Sequence, residues 1–267
     1  MSKLKKGLVF LLLGIFVVAC SRVPLTNRKQ VNLLPESQMI AMSFAAYGDF
    51  LNQNNVVDES DTRTRMVKRC GEKIKNAVET YLADNKQSKR VEGFEWEFNL
   101  VNDELVNAWA MPGGKVVVYT GLLDVAQDEA GLAVVMGHEI AHAIARHGNE
   151  RMSQQLLIQA GGVSLAVLTD EKPALARDLF LLSYGIGSGL GSLAFSRNHE
   201  SESDKMGLVF MAMAGYDPQE APKFWERMSG NGGPQPPEFL STHPNHDTRV
   251  ADLEAYMPEA MKYYTGN

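Results

Sequence analysis

Apolar positions recur every three to four residues in 37–50 and 61–82, and again in 221–228 and 248–256, so each stretch predicts an amphipathic helix. Between these pairs the period changes to two. Phe94, Trp96, Phe98 and Leu100 alternate with Glu95, Glu97 and Asn99, which predicts a half-buried strand over 92–101. Lys115-Val116-Val117-Val118-Tyr119-Thr120 predicts a second strand, entered through a Pro112-Gly113-Gly114 turn. The pattern as a whole predicts an α+β fold, mainly helical with one small sheet.

Two stretches depart from these periods. Residues 7–19 are mostly apolar and follow Lys3, Lys5 and Lys6, which reads as a secretory signal and is short for a membrane span. Val17-Val18-Ala19-Cys20 looks like a bacterial lipobox, whose cleavage would leave Cys20 as the acylated first residue; an uncleaved signal anchor is the alternative. Ser21 after the cysteine, rather than Asp, is similar to lipoproteins sent to the outer membrane of a Gram-negative cell. The expected organisation is a signal peptide 1–19, a lipidated segment 20–36 and a domain 37–267. The second departure, 179–195, lacks charge but carries Gly185, Gly187, Gly189 and Gly191. It is too short and too glycine-rich for a span, and predicts a buried or lid segment, with membrane contact as the alternative.

Composition narrows the class. The chain has 267 residues, 45% hydrophobic, enough for a sizeable core. Loss of three lysines with the signal takes the formal charge from -6 to about -9, and nothing basic points to nucleic acid. With Cys20 acylated, Cys70 is the one remaining thiol, so no intramolecular disulfide forms. Cys70 shares a helical stripe with Met66, Ile74, Ala77 and Tyr81 and reads as core.

The chemistry is concentrated in the histidines. All six fall within 136–148, 196–207 and 241–250. His138-Glu139-Ile140-Ala141-His142 places two imidazoles one turn apart on a helix, where they can share one tetrahedral zinc while Glu139 leans towards the open position. Asp128-Glu129 suits that helix's start, Leu132, Val135, Ile140 and Ile144 form its apolar stripe, and Gly148 suits a left-handed cap after Arg146 and His147. The plainer alternative is two polar-face histidines on an ordinary amphipathic helix.

A third ligand is needed, and Glu200 is the best candidate. Asp204, four residues on, shares its helical face and can accept a hydrogen bond from the outer nitrogen of a ligating histidine; Glu202 points away. Taken alone, the same acids would read as a solvated helix face. His243 is a donor to a developing oxyanion or an extra zinc ligand, and Arg249 a carboxylate anchor. His147 reads as a partner of the helix dipole, His199 as facing elsewhere and His246 as an exposed loop residue.

Asn107-Ala108-Trp109-Ala110-Met111-Pro112-Gly113-Gly114-Lys115, Tyr119-Thr120-Gly121-Leu122-Leu123, the His-Glu-x-x-His helix, the Glu200/Asp204 segment and Thr242-His243-Pro244 resemble, in order, the motifs of one family. It is the gluzincin zinc metallopeptidases that include HtpX, the CaaX prenyl proteases and the mitochondrial Oma-type stress peptidase. Val23-Pro24-Leu25-Thr26-Asn27-Arg28-Lys29-Gln30 draws the resemblance towards the bacterial lipoprotein branch, as in LoiP, and less closely towards BepA. Ser203 departs from the family's usual Ala and leaves the proposed ligands untouched.

The resemblance implies a zincin-type peptidase domain with one Zn2+ on His138, His142 and Glu200. Glu139 becomes the catalytic glutamate and Asp204 the partner behind a ligand. His243 matches a histidine that can approach or ligate the metal, and at rest would then make the enzyme latent. Chemically, Glu139 would take a proton from the attacking water and pass it to the leaving amine, with zinc and His243 stabilising the oxyanion. The resemblance also makes the 107–115 region, with Asn107, Ala108, Gly113 and Gly114, the sheet edge beside the zinc helix, where a substrate adds as a strand; a plain structural hairpin is the alternative.

The expected function is a zinc metalloendopeptidase of the bacterial envelope, lipid-anchored on the periplasmic face of the outer membrane. It would degrade misfolded or damaged envelope proteins, with outer-membrane assembly machinery or other lipoproteins as partners. The alternatives are a zinc-containing periplasmic chaperone or assembly factor with latent peptidase activity, and a purely structural zinc domain. The last has no use for Glu139.

Overall fold

The computed structural model describes residues 20–160, 173–186, 195–230, 238–243 and 248–266. The predicted signal 1–19, Gly187, Gly189 and Gly191, residues 231–237, and His246 lie outside the described residues. The chain opens with a hairpin in which β1 (Cys20–Arg22) pairs antiparallel with β2 (Lys29–Val31). Two helices follow, α1 (Glu36–Gln53) and α2 (Thr62–Asp84), close to the stretches that the apolar period predicts. Asp61 caps α2 by accepting from the Arg63 N–H at 2.8 Å.

A three-stranded sheet comes next, in the order β3 (Glu97–Val101), β5 (Lys115–Tyr119), β4 (Ala108–Met111). The β3–β5 pair is parallel, with Glu97 opposite Lys115, and β4–β5 antiparallel, with Ala108 opposite Val118. Strand β3 starts later than the alternation predicts, because Gly93 sits at φ +80° after a turn of 3-10 helix, Ser88–Val91. The alternating aromatics still line up: Phe94, Trp96 and Phe98 follow one another at centroid distances of 5.3 and 6.1 Å.

The centre of the molecule is α4 (Glu129–Ala145), preceded by the short α3 (Thr120–Ala126). The Asp128 carboxylate caps it by accepting from the Gly131 N–H at 2.9 Å, a bond worth about 1 kcal/mol. Every residue from Gly131 to Ala145 is buried, so α4 is enclosed on all sides, among them by β4, α2 and α7 (Arg197–Met213). Three of those enclosed residues, His138, Glu139 and His142, are polar, and burial of that kind demands partners.

The end of α4 differs from the expectation. Arg146, not Gly148, takes the left-handed cap position at φ 61°, and α5 (His147–Ala160) starts at the next residue. Gly148 lies inside α5, where a Cβ would stand 2.1 Å from the Tyr184 ring, so close packing explains this glycine. Arg90 closes the α4 end, donating to Ile144 O at 2.7 Å and Ala145 O at 3.1 Å.

The remaining helices are α6 (Pro173–Ser183), α7, α8 (Glu220–Gly230), α9 (Glu238–Thr242) and α10 (Arg249–Ala260). Leu179 and Phe180 of α6 are buried with Met39, Tyr47, Trp109 and Met152, which makes this part of the 179–195 stretch core. Among the described residues no helix is long and apolar enough to cross a membrane. Cys70 is fully buried, and burial pushes its thiol up to about 12, as a core residue's should be.

Candidate metal centre

Helix periodicity brings His138 and His142 onto one face of α4, with their Nε2 atoms 3.0 Å apart. Helix α7 crosses α4 beside them and delivers Glu200. Its Oε2 lies 3.5 Å from His138 Nε2 and its Oε1 3.4 Å from His142 Nε2. His243, just past α9, completes a buried group whose four ligand atoms all lie within 4.8 Å of one another. Glu139 flanks it, with Oε1 3.4 Å from His243 Nε2.

Hydrogen-bond accounting shows what the group lacks. Both Glu200 carboxylate oxygens, Glu139 Oε1 and His243 Nε2 are buried with no hydrogen-bond partner. Each such orphan costs roughly 1–3 kcal/mol, so four converging on one point call for a cation. Zinc bonds of about 2.0–2.1 Å in a tetrahedron set neighbouring ligand atoms roughly 3.3 Å apart, close to the separations here. His138, His142 and Glu200 therefore fit zinc.

The surroundings fix these donors in place. Asp204 Oδ1 lies 2.9 Å from His138 Nδ1, which assigns the proton to that nitrogen and leaves Nε2 facing the group. Arg249, fully buried, donates to Asp204 Oδ1 at 2.6 Å, approaches Glu200 Oε2 at 3.2 Å and lies over the Trp225 ring at 3.3 Å. The carboxylates it anchors are thus the protein's own. Thr242 Oγ1 donates to Phe239 O at 3.1 Å and so accepts from His243 Nδ1 at 2.8 Å, which turns the Nε2 lone pair inward.

Charge follows this geometry. Burial pushes the Glu139 carboxyl up to about 8. Burial likewise holds His142 and His243 neutral, well below the usual histidine range. Burial opposes charge on His138 too, but Asp204 and Glu200 outweigh it and raise it to about 9. Burial would raise Glu200, but charged His138 and Arg249 beside it hold it down to about 2.

The chain matches Peptidase family M48 over residues 71–257, a span that contains His138, Glu139, His142, Glu200, Asp204, His243 and Arg249. The chain belongs to peptidase family M48. As an M48 member it has zinc as its metal, in agreement with the nitrogen, nitrogen and oxygen donor set. It is similar to "Metalloendopeptidase OMA1, mitochondrial" of Homo sapiens, 33% identical over 250 residues that make up 90% of this chain and 46% of that protein. "Mitochondrial metalloendopeptidase OMA1" of Schizosaccharomyces pombe is 31% identical over 243 residues, 90% of this chain and 67% of its own. "Beta-barrel assembly-enhancing protease" of Escherichia coli (strain K12) is 33% identical over 163 residues, 59% of this chain and 33% of its own. The chain thus spans less than half of the human relative.

Other predicted site residues lie in the sheet. Asn107 precedes β4 and Ala108 opens it; β4 is at the sheet's edge among the described residues. Gly113 and Gly114 form the hairpin turn at φ +81°. Cβ atoms there would meet Phe44 at 2.4 Å and Trp96 at 2.8 Å, so turn conformation and packing account for both glycines. Cys20 begins β1.

His147 corrects the sequence reading. It is no charged partner of the helix dipole: burial holds it well below the usual histidine range, with Nδ1 2.9 Å from His142 Nδ1. On an unbroken helix five residues would separate the two rings by more than a third of a turn, but the left-handed Arg146 turns α5 so that they meet. Glu202 does point away from the metal group, and lands on His147 Nε2 at 3.2 Å. An aromatic wall also lines the group, without a motif of its own: Phe195 lies 4.1 Å from the His142 ring, and Phe239 stacks on His243 at 4.3 Å. Their only trace in the sequence is proximity to Ser196 and Thr242.

Proposed function

We propose that this chain is a zinc-dependent endopeptidase of the bacterial cell envelope that degrades misfolded or damaged envelope proteins. The observation that carries the reading is the buried, unpartnered Glu139 oxygen beside the His138, His142 and Glu200 donors. A zinc ion that only held the fold together would leave such a carboxylate without purpose.

Zinc on His138, His142 and Glu200 supplies a Lewis acid that polarises a carbonyl and acidifies water. The chain's own groups do the rest. Glu139, raised by burial towards neutrality, accepts the proton of the attacking water and returns it to the leaving amine. The edge strand β4, with Asn107 just before it and Ala108 at its start, offers a backbone for a substrate to add alongside, which gives main-chain affinity with little sequence demand. The arginine–aspartate pair behind His138 keeps that ring oriented while charge moves.

The lipobox at Cys20 supports a lipid anchor on the periplasmic face of the outer membrane, with segment 20–36 leading into peptidase domain 37–267. The likeness to proteins named beta-barrel assembly-enhancing proteases supports unfolded outer-membrane proteins as substrates and assembly machinery or other lipoproteins as partners. The 23–30 segment supports the lipoprotein branch, as in LoiP.

Casein cleavage by the zinc-loaded chain, run beside Glu139→Gln, tests the reading: cleavage by the former alone is expected, and equal cleavage by both rejects Glu139 as the base. His243 favours a second reading, because its inward Nε2 sits among the donors where a fourth ligand would close the site. A zinc-containing chaperone or assembly factor with latent peptidase activity would then bind unfolded protein and cut neither as wild type nor as Glu139→Gln.

A further inference from the structure

The two histidine ligands are supported in different ways. His138 is backed directly by the Asp204 carboxylate at 2.9 Å. His142 is backed by a second imidazole, His147, at 2.9 Å between Nδ1 atoms. Behind His147 stands Glu202, its Oε2 3.2 Å from His147 Nε2. All three side chains are buried.

The protons can be placed by elimination. If His142 binds metal through Nε2, its Nδ1 carries the hydrogen and donates to His147 Nδ1. His147 must then carry its own hydrogen on Nε2 and donate it to Glu202. The chain of bonds runs one way, from metal ligand to carboxylate, and each link fixes the tautomer of the one before. His147 is itself clamped, its ring stacked on His199 at 4.3 Å and 18°. His199 Nε2 reaches Glu150 Oε2 at 3.1 Å.

The far end of this chain is held by a different part of the molecule. Arg28, in the turn between β1 and β2, donates from Nε to Glu202 Oε2 at 2.8 Å, and from Nη1 and Nη2 to the two Glu150 oxygens at 2.8 and 2.7 Å. Thr26 Oγ1 donates to Glu202 Oε1 at 2.6 Å. One guanidinium from the N-terminal hairpin thereby joins the two carboxylates that hold His147 and His199. The hairpin is fixed again by Arg90, which bonds Arg22 O at 3.1 Å while capping α4.

We infer that His147 and Glu202 are positioning residues for the metal ligand His142, and that Arg28 of the N-terminal hairpin holds them in place. The inference rests on the zinc-site reading above. It makes the hairpin that follows Cys20 part of the metal centre's support: without Arg28, Glu202 loses its cation and the orientation of His147 loosens.

The test is zinc affinity of the purified full chain, stripped of metal and titrated in competition with a chromophoric chelator. Metal-free melting is recorded beside it. His147→Phe keeps the stacking volume but removes both ring nitrogens, and should weaken zinc about 10–100-fold. His147→Asn returns an acceptor near the Nδ1 position and should recover much of that loss, which a purely structural role does not predict. Arg28→Met and Glu202→Gln should weaken zinc by a smaller factor, and they carry the test if His147→Phe fails to fold. Unchanged zinc affinity in His147→Phe and Arg28→Met, or equal weakening in His147→Asn and His147→Phe, overturns the inference. Failure of the unsubstituted chain to bind zinc overturns the metal-centre reading itself.

Discussion

Gly137 and Gly207 lie against each other where α4 crosses α7: a Cβ on Gly137 would stand 3.1 Å from Gly207 O, and one on Gly207 3.0 Å from the His138 backbone nitrogen. Two missing side chains let these helices approach closely enough for Glu200 and Asp204 to reach His138.

Gly207→Ala should therefore push α7 away from His138, a proposed metal ligand. The expected cost is about 1–3 kcal/mol of stability from overpacking, together with weaker zinc binding. Chemical denaturation and a zinc titration measure the two effects, and an Ala variant with native zinc affinity would remove the crossing from the account of the site.

Glu139→Gln keeps the shape of the side chain and loses the proposed base. Cleavage should fall by at least about 100-fold while zinc content stays at one ion per chain. Metal analysis alongside a peptide assay separates this outcome from simple loss of zinc.

Glu200→Ala removes the proposed third ligand, a larger insult than loss of an outer partner. Zinc affinity should drop by more than about 100-fold, the upper end of what losing an outer partner costs. An affinity within tenfold of native would reassign the third ligand, with His243 first in line.

Chelation should lower the melting temperature. A zinc concentration 1,000 times the dissociation constant stabilises by about 4 kcal/mol, which for a chain of this size is roughly 10 °C. A melting curve indifferent to chelator and to added zinc would contradict the metal centre.

Acid should release the N-terminal hairpin. Burial alone would raise Glu150, but Arg28 and His199 outweigh it and hold the carboxyl down to about 2. A lowered folded-state pKa means a stabilising contribution that is complete above the ordinary carboxylate range and fades as pH falls through about 4.5 towards 2. Between pH 6 and 3 the native chain should lose more stability than Glu150→Gln, and parallel losses would show that the pair adds nothing.

Much of this is legible in the sequence, because helix and strand periods depend on local geometry. The 128–145 helix, the shared face of His138 and His142, the core position of Cys70 and the two strands all follow from spacing of 3.6 or 2 residues. What misled was also local in appearance. Gly148 has the identity of a helix cap and follows a basic pair, yet the chain turns two residues earlier at Arg146, and the glycine is needed because Tyr184 packs on it.

The sequence by itself determined the donor types and their placement within each helix: two imidazoles and a carboxylate on α4, and Glu200 with Asp204 on one face of α7. Tertiary structure alone decided what those donors meet. Sequence separation carries no record of a helix crossing, so the contact of Glu200 with His138 depends on Gly137 and Gly207, and that of Arg249 with Asp204 on the packing of α10. The line from His142 through His147 and Glu202 to Arg28 joins three stretches that the chain order keeps apart, at 28, 142–147 and 202. It exists because buried polar groups must find partners, and in a packed interior the nearest partners come from other elements.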